Sequence, residues 1–400
     1  MKILVLSELL YPHGSGAELA TSLWIQFFAQ IGFQVRVITS IFPGESEKFA
    51  SGTLEIFRLP LVGSSGHKYS LLSRSYILFS SLLRKSLKWA DLVYVPRFWY
   101  AAIPVAKAYG KPVITHLHDY IPICSLATRY DLSRNENCTV RMQCRPSCVI
   151  AHERAQGSSF RQTYGSALLN FAIWPCVGRW IMLSDAIVCI AKAHEDKLTA
   201  CMPSLTQKCR LIHNLLPKVT ATVIEGKDIG YFGSSNPLKG YNVMTRAIGR
   251  TEAPITIHAT SFQRRMRKDF PNGSQLLFYG RLPELEYEEL YRKIRTVMVP
   301  SIWAEPWPYV VSEAIMRERL VIASNVGGIV EQTAHCPGTF LVPPNDEQKL
   351  AEIMEFATEL DQEGASDIAL KSREVFLKRF DNSRIAERFI SLLQELVSTS

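Results

Sequence analysis

Two glutamates, Glu305 and Glu313, bracket seven uncharged residues in the stretch AEPWPYVVSEA. Trp303, Trp307, Tyr309, Val310 and Val311 surround them in sequence, and a carboxylate left unpartnered beside so much apolar surface is costly. The pairing points to a polar ligand gripped by both carboxylates; a capped buried helix is the plainer alternative. Lys239, in FGSSNPLKG, follows Gly233 by six residues and precedes Gly240 and an expected helix. A lysine among glycines at a helix N-terminus suits a phosphate, with a solvated surface lysine as the competing reading. In PHGSGAE, Gly14 and Gly16 lie where a strand turns into a helix, so backbone N–H groups can approach an anion. The spacing is not the dinucleotide fingerprint, because residue 19 is Leu. In THLHDY a strand ends, and alternation sets His116 and His118 on one face next to Asp119.

The elements that must position these residues follow one rhythm. KILVLS (2–7), QVRVITS (34–40), LVYVP (92–96), PVITHLHD (112–119) and AIVCIA (186–191) are strand-like, with helical spacing between them, as in AELATSLWIQFFAQIG (17–32). Periodicity lapses over 213–228. It restarts with IGYFGSSNPLKGYNVMTRAI (229–248), ITIHAT (255–260), LLFYGRL (276–282), TVMVPS (296–301) and LVIASN (320–325). Alternating strands and helices argue for parallel sheets covered on both faces. The expected domains are 1–214, carrying a cysteine-rich insert at 124–148, and 215–380. A terminal amphipathic helix lies within 381–400, free to pack back on the first domain. In paired sheets of this kind ligands bind beyond the carboxyl ends of the strands, so the motifs are expected to converge on one cleft.

Forty-five basic against thirty-seven acidic residues leave a charge of +8, which favours anionic partners without choosing among them. The N-terminus MKILVLSELLYP reads as a buried strand rather than a signal peptide. The apolar stretch 166–183 is interrupted by Pro175 and Arg179, which favours a buried or interfacial helix over a membrane span. A cytoplasmic chain is expected, and its nine cysteines are then thiols or metal ligands rather than disulfides.

The ordered set GSGAE, HLHD, GSSNPLKG, E-x7-E and VGG (326–328) resembles the retaining GT-B glycosyltransferases of family 4, the glycosyl transferases group 1 type, over nearly the whole chain. The resemblance implies an α/β protein of GT-B fold, with two doubly wound Rossmann-like domains facing across a cleft. It implies a retaining, hexosyltransferase-like enzyme that moves a sugar from a nucleotide-diphosphate sugar to a polysaccharide, glycolipid or lipid-linked acceptor. By the same resemblance Glu305 contacts the transferred sugar, with the backbone at Trp307, Tyr309 and Val310 near its hydroxyls. Glu313 holds the ribose, Lys239 neutralises the diphosphate with help from Gly14, Gly16 and Gly233, and His118 touches the sugar near the reacting carbon. No Asp-x-Asp occurs, which accords with chemistry that uses protein cations and helix dipoles and no catalytic metal.

Four positions depart from the family pattern. Ser234 stands where Arg is common, Pro308 where Gly is usual, and Glu318-Arg319-Leu320 where Gly-x-Pro is usual; Arg281 is a further candidate for the phosphates. The other readings are a sugar-nucleotide epimerase or an inactive sugar-nucleotide binder on the same fold. A zinc-containing nucleic-acid-binding protein is a lesser one; it leaves the paired glutamates unexplained, so no nucleic acid is expected.

Two stretches fall outside those motifs. Cys124, Cys138, Cys144 and Cys148 crowd a polar insert and resemble a structural zinc site, an iron–sulfur cluster or two disulfides being the alternatives. The 68–89 stretch sets Leu72, Tyr76, Phe79, Leu83 and Leu87 on one helical face, with Arg74, Arg84, Lys85 and Lys88 elsewhere. It reads as a core helix with a basic outer side or, more sharply, as a peripheral contact with an anionic membrane surface.

Overall fold

The computed structural model describes residues 1–60, 76–140, 145–155, 157–260, 265–280 and 282–399. The chain divides into two compact units, residues 1–215 with 382–400, and residues 216–381. Each is a parallel α/β sheet.

The first unit holds β1 (Lys2–Ser7), β2 (Gln34–Ser40), β3 (Lys48–Ser51), β4 (Leu54–Leu59), β5 (Leu92–Arg97), β6 (Val113–Leu117), the small pair β7 (Tyr130–Asp131) and β8 (Glu136–Asn137), β9 (Ala186–Cys189) and β10 (Cys209–Leu211). The sheet order is β10-β9-β6-β5-β1-β2-β4-β3, parallel except for the β3–β4 edge. Ile3 pairs with Val35 and Leu4 with Val93, so the apolar runs of β1, β2 and β5 lie side by side and buried. That is why they read as near-continuous hydrophobic stretches rather than alternating ones. The helix Gly16–Gln30 turns Trp24 and Phe28 inward. The terminal helix Asn382–Ser398 completes the same core: Phe389 meets Trp24 at 4.3 Å and Phe28 at 5.6 Å between ring centroids, with Tyr94 at 5.8 Å.

The expected single helix over 68–89 is corrected. Leu72 and Arg74 lie outside the described residues, Tyr76–Phe79 is a short 3-10 turn, and a separate helix runs Ser81–Trp89. Ser80 breaks the run because its Oγ accepts from Leu82 N at 3.2 Å, an N-cap that starts a new helix. Leu83 and Leu87 are buried in that helix while Arg84, Lys85 and Lys88 face solvent. Among the described residues no helix is long and apolar enough to cross a membrane.

The second unit holds β11 (Asp228–Tyr231), β12 (Thr256–Thr260), β13 (Met266–Asp269), β14 (Gln275–Tyr279), β15 (Ile294–Val299), β16 (Leu320–Ser324) and β17 (Thr339–Val342). Their order is β13-β14-β12-β11-β15-β16-β17, parallel apart from the β13–β14 edge. β11, β15 and β16 are neighbours at the centre, and all three candidate ligand motifs follow their carboxyl ends. The Glu318-Arg319 departure has a structural cause. Glu318 takes φ +59°, a left-handed conformation that glycine adopts at less cost. Buried Arg319 donates to Tyr291 O at 2.8 Å and to Thr222 O at 3.0 Å and Oγ1 at 2.7 Å, tying down the aperiodic segment before β11.

Candidate functional site

Within the second unit the lysine turn and the first glutamate form one construction. After β11 the chain passes Gly233 and Ser234, the latter at φ +52°, into the 3-10 turn Pro237–Lys239, whose N-cap Asn236 accepts from Leu238 N at 2.9 Å. Gly240 follows at φ +80°, and a Cβ there would collide with Pro300 O, so only glycine lets this turn lie against the loop after β15. Ile302 N donates to Leu238 O at 3.0 Å across the same seam. The result sets Lys239 Nζ 2.7 Å from Glu305 Oε2 and 5.8 Å from the Trp303 ring centroid. Glu305 is 3% exposed, and its other oxygen accepts from Ser301 Oγ. The glycine pair of VGG belongs here too. A Cβ on Gly327 (φ +52°) would strike Glu305 O, and Gly328 N donates to that same oxygen at 2.7 Å. Two turns thus clamp one glutamate, the first by its carboxylate and the second by its backbone.

Glu313 sits four residues into the helix Tyr309–Met316, which starts just beyond Pro308. Gln332 of the Gly327–Thr333 helix fixes that start by donating to Pro308 O at 3.2 Å and Ser312 Oγ at 2.8 Å. Pro308, the departure from glycine, occupies the N-cap with extended backbone, where its missing N–H costs nothing. Burial raises the Glu313 carboxyl to about 7, opposed by the pull of Arg317 and reinforced by Glu288. Arg317 is largely committed elsewhere, its guanidinium bidentate to Glu288 at 2.6 Å on both oxygens. Tyr309, Tyr287 and Tyr291 are all held above the usual phenol range by burial, with Glu313 adding to each. A carboxyl in an aromatic pocket, short of a committed cation, is poised to accept from a ligand's hydroxyl groups.

In the first unit Gly14 and Gly16 lead into the helix Gly16–Gln30, capped by Ser15 and Glu18. Gly14 takes φ +100°, and a Cβ on it would collide with the Glu18 side chain. Buried Glu18 accepts from Ser15 N at 2.6 Å and pairs with Arg97 at 2.9 Å. The amide end of this helix therefore already holds an internal carboxylate with its own counter-ion. His116 and His118 do share a face: their ring centroids are 4.3 Å apart, and His116 Nδ1 meets Tyr94 Oη at 2.7 Å. Burial pushes His116 down to about 3, with His194 adding to the effect. His118 is driven well below the usual histidine range by burial, then by His116, Arg97 and His194, so it is a neutral ring at physiological pH. Both its ring nitrogens are shut from solvent and lack a hydrogen-bond partner among the described residues. Burial also raises Asp119, against the pull of Arg97.

Cys144 and Arg281 lie outside the described residues, so neither can be placed. Cys124 and Cys148 are buried and Cys138 is half-buried, and among the described residues no group of three or more His, Cys, Asp or Glu could hold a metal ion. Buried Arg129 (φ +57°) donates to Cys138 O at 3.1 Å and to Val140 O, and Cys148 Sγ reaches Tyr130 O at 3.6 Å. Among the described residues of the insert, the Arg129 guanidinium is held by the carbonyls of Cys138 and Val140.

Ser301, Glu18, Arg97 and the Arg317–Glu288 pair were not singled out from sequence. Ser301 stands four residues before Glu305, and Glu18 completes the Ser15-x-x-Glu18 capping-box spacing; nothing in the spacing marks Arg97 or the Arg317–Glu288 pair.

A family model described as Glycosyltransferase Family 4 matches residues 14–216, half of the chain, and one described as Glycosyl transferases group 1 matches residues 260–374. A search of curated proteins found no match. Among solved structures the fold is similar to sucrose-phosphate synthase from Thermosynechococcus elongatus (TM-score 0.70, 15% identity, all of both chains covered). It is also similar to Anabaena HepE in complex with UDP-glucose (TM-score 0.60, 17% identity, 98% of this chain and 100% of that one). A third is WaaG, a glycosyltransferase involved in lipopolysaccharide biosynthesis (TM-score 0.64, 13% identity, 98% and 99%). All three share its two-domain α/β architecture, the GT-B fold.

Proposed function

This chain belongs to glycosyltransferase family 4, and from that premise we propose that it transfers a sugar, with retention at the anomeric carbon, from a nucleotide-diphosphate sugar to a polysaccharide, glycolipid or lipid-linked acceptor. The observation that carries the reading is the pairing of part-exposed Lys239 with buried Glu305, built by two glycine contacts at the ends of β11, β15 and β16. An ammonium carries three N–H donors; with one directed at Glu305, the others can meet the diphosphate. There a positive charge is worth most, because the bond from anomeric carbon to phosphate oxygen breaks and charge gathers on the leaving group. Glu305, fixed by Ser301, Lys239 and the Gly327–Gly328 turn, takes the sugar hydroxyls, with the backbone of Trp307, Tyr309 and Val310. Glu313 takes the ribose hydroxyls. Gly16 and Gly233 allow close approach to the phosphates, and His118, neutral with unpartnered ring nitrogens, can accept from or donate to a sugar hydroxyl. UDP-glucose bound to HepE supports the donor class, and WaaG's part in lipopolysaccharide biosynthesis supports the acceptor class. Action at the cytoplasmic face of a membrane belongs to the same proposal. So does a structural zinc on the cysteine insert, which rests on the four-cysteine sequence and is tested by metal analysis of protein prepared without chelator.

Calorimetry against a panel of nucleotide sugars identifies the donor, and three variants then test the roles. Glu313→Ala should weaken binding of the bare nucleotide. Glu305→Ala should spare that binding and cut turnover, and Lys239→Ala should lower both, with a rate loss on the order of a hundredfold. Wild-type affinity and rate in both glutamate variants would make the pair structural and remove the reading's main support.

A further inference from the structure

Among its described side chains, the helix Phe160–Met182 buries one side and exposes another. Thr163, Trp174, Val177 and Ile181 are buried, and Trp174 Nε1 donates to Ile121 O at 2.7 Å, pinning the helix to the segment beyond β6. On another side Phe160 (74% exposed), Leu168 (71%) and Phe171 (62%) stand in solvent together with Tyr164. Steps of four, four and three residues place them on one stripe, about 17 Å long at the helical rise. Phe160 and Tyr164 rest on each other, ring centroids 4.4 Å apart. A contiguous row of large apolar side chains on a protein surface marks an interaction site more often than chance.

The charge around the row says what it meets. From Arg145 to Met182 the sequence has Arg145, Arg154, Arg161 and Arg179 against a single acid, Glu153. Glu153 is buried and accepts from Ser158 Oγ at 2.7 Å, whereas Arg154, Arg161 and Arg179 are exposed. The 145–182 stretch is therefore apolar and cationic and contributes no exposed carboxylate, the composition of a helix that lies among anionic headgroups. A second copy of the chain fits poorly, since a two-fold contact through this row would set arginine-rich faces against one another.

We propose that the Phe160–Phe171 stripe docks this chain on an anionic lipid surface, its apolar side chains entering the acyl boundary while Arg154 and Arg161 meet lipid phosphates. The proposal rests on the membrane part of that reading and assigns it to a particular helix; because it is tested without nucleotide sugar, its failure leaves the transfer reading standing. Full-length protein is floated with vesicles of phosphatidylglycerol and phosphatidylcholine, and with phosphatidylcholine alone, at low and high salt. Anionic vesicles at low salt should recover several-fold more protein than neutral ones, and high salt should reverse most of the gain. Phe160→Ser/Leu168→Ser/Phe171→Ser should weaken apparent vesicle affinity about tenfold or more. Arg154→Glu/Arg161→Glu, which changes only exposed side chains, should do likewise and decides the matter if the triple variant misfolds. Circular dichroism and nucleotide affinity should stay at wild type in both. Equal recovery by neutral and anionic vesicles, or variants that float like wild type, would overturn the proposal. So would a wild-type dimer, seen by light scattering, that the triple variant dissolves in the absence of any vesicle binding; the stripe would then be a self-association surface.

Discussion

Replacing Glu313 by Gln should stabilise the protein, and should do so only at high pH. The carboxyl has an ordinary value of 4.5 when the chain is unfolded and about 7 in the folded protein, mainly because burial disfavours its charged form. Between those values the folded state binds more protons than the unfolded state, so stability falls as pH rises from about 4.5 to about 7 and is level above. At about 1.4 kcal/mol per pH unit the gap is worth about 3 kcal/mol, an upper bound because the side chain keeps some contact with solvent. The neutral amide avoids this loss. Urea midpoints of wild type and Glu313→Gln should therefore coincide near pH 4.5 and separate above pH 7, the variant being more stable by up to about 3 kcal/mol. The same proton must leave when ribose hydroxyls donate to the carboxylate. Nucleotide affinity should accordingly fall by as much as tenfold per unit below pH 7, and calorimetry in two buffers of different ionisation enthalpy should detect proton release near pH 6. Glu313→Gln should lose both the affinity and the release. A stability difference that is the same at pH 5 and pH 8 would refute the desolvation argument; unchanged nucleotide binding in the variant would refute the role.

A double-mutant cycle of Lys239→Met and Glu305→Gln should give a coupling of about 1–2 kcal/mol in urea midpoints, below the figure for a fully buried pair because Lys239 is 36% exposed; additive effects would mean the pair does not support the fold. Gly327→Ala should cost about 2 kcal/mol, from φ +52° and collision with Glu305 O, and should lower the transfer rate beyond the fraction unfolded. Glu318→Gly should raise the thermal midpoint, by up to about 1 kcal/mol of stability, because relief of φ +59° outweighs the lost part-exposed 3.7 Å contact with Arg373 and the added freedom of the unfolded chain; a lower midpoint would show that those losses exceed the backbone strain.

How far the sequence carries differs between sheet centre and sheet edge. The inner strands β1, β5, β6, β15 and β16 are buried on both faces, so a bare apolar run is enough to find them. β3 and β13 are wholly exposed antiparallel edges, KFAS and MRKD, whose pairing depends on β4 and β14 rather than on any pattern of their own. β10 and β17 are short strands added to one side, equally faint in sequence. The 68–89 stretch misleads for a different reason. Periodicity measures which residues share a face and is blind to a serine that caps in mid-run, so Ser80 divides what the apolar spacing joins.

The candidate site separates along a similar line, between groups that would touch a ligand and groups that hold those groups in place. Lys239, Glu305, Glu313 and His118 are legible because charged or titratable side chains at the carboxyl ends of apolar strands have few structural uses. Their supports are ordinary residues whose importance comes from contact alone: Ser301 on Glu305, Gln332 on the backbone at Pro308, Glu288 drawing Arg317 away from Glu313. The glycines are the instructive middle case. Gly14, Gly240 and Gly327 were visible as turns, and the sequence reading of PHGSGAE gave the first a phosphate to approach. What Gly14 approaches in the fold is the Glu18 carboxylate, while Gly240 and Gly327 approach the carbonyls of Pro300 and Glu305. A glycine in a strand-to-helix turn announces close approach without naming the partner. In the second unit the partner is the loop after β15 that carries Glu305, which makes these two glycines positioning residues for that carboxylate.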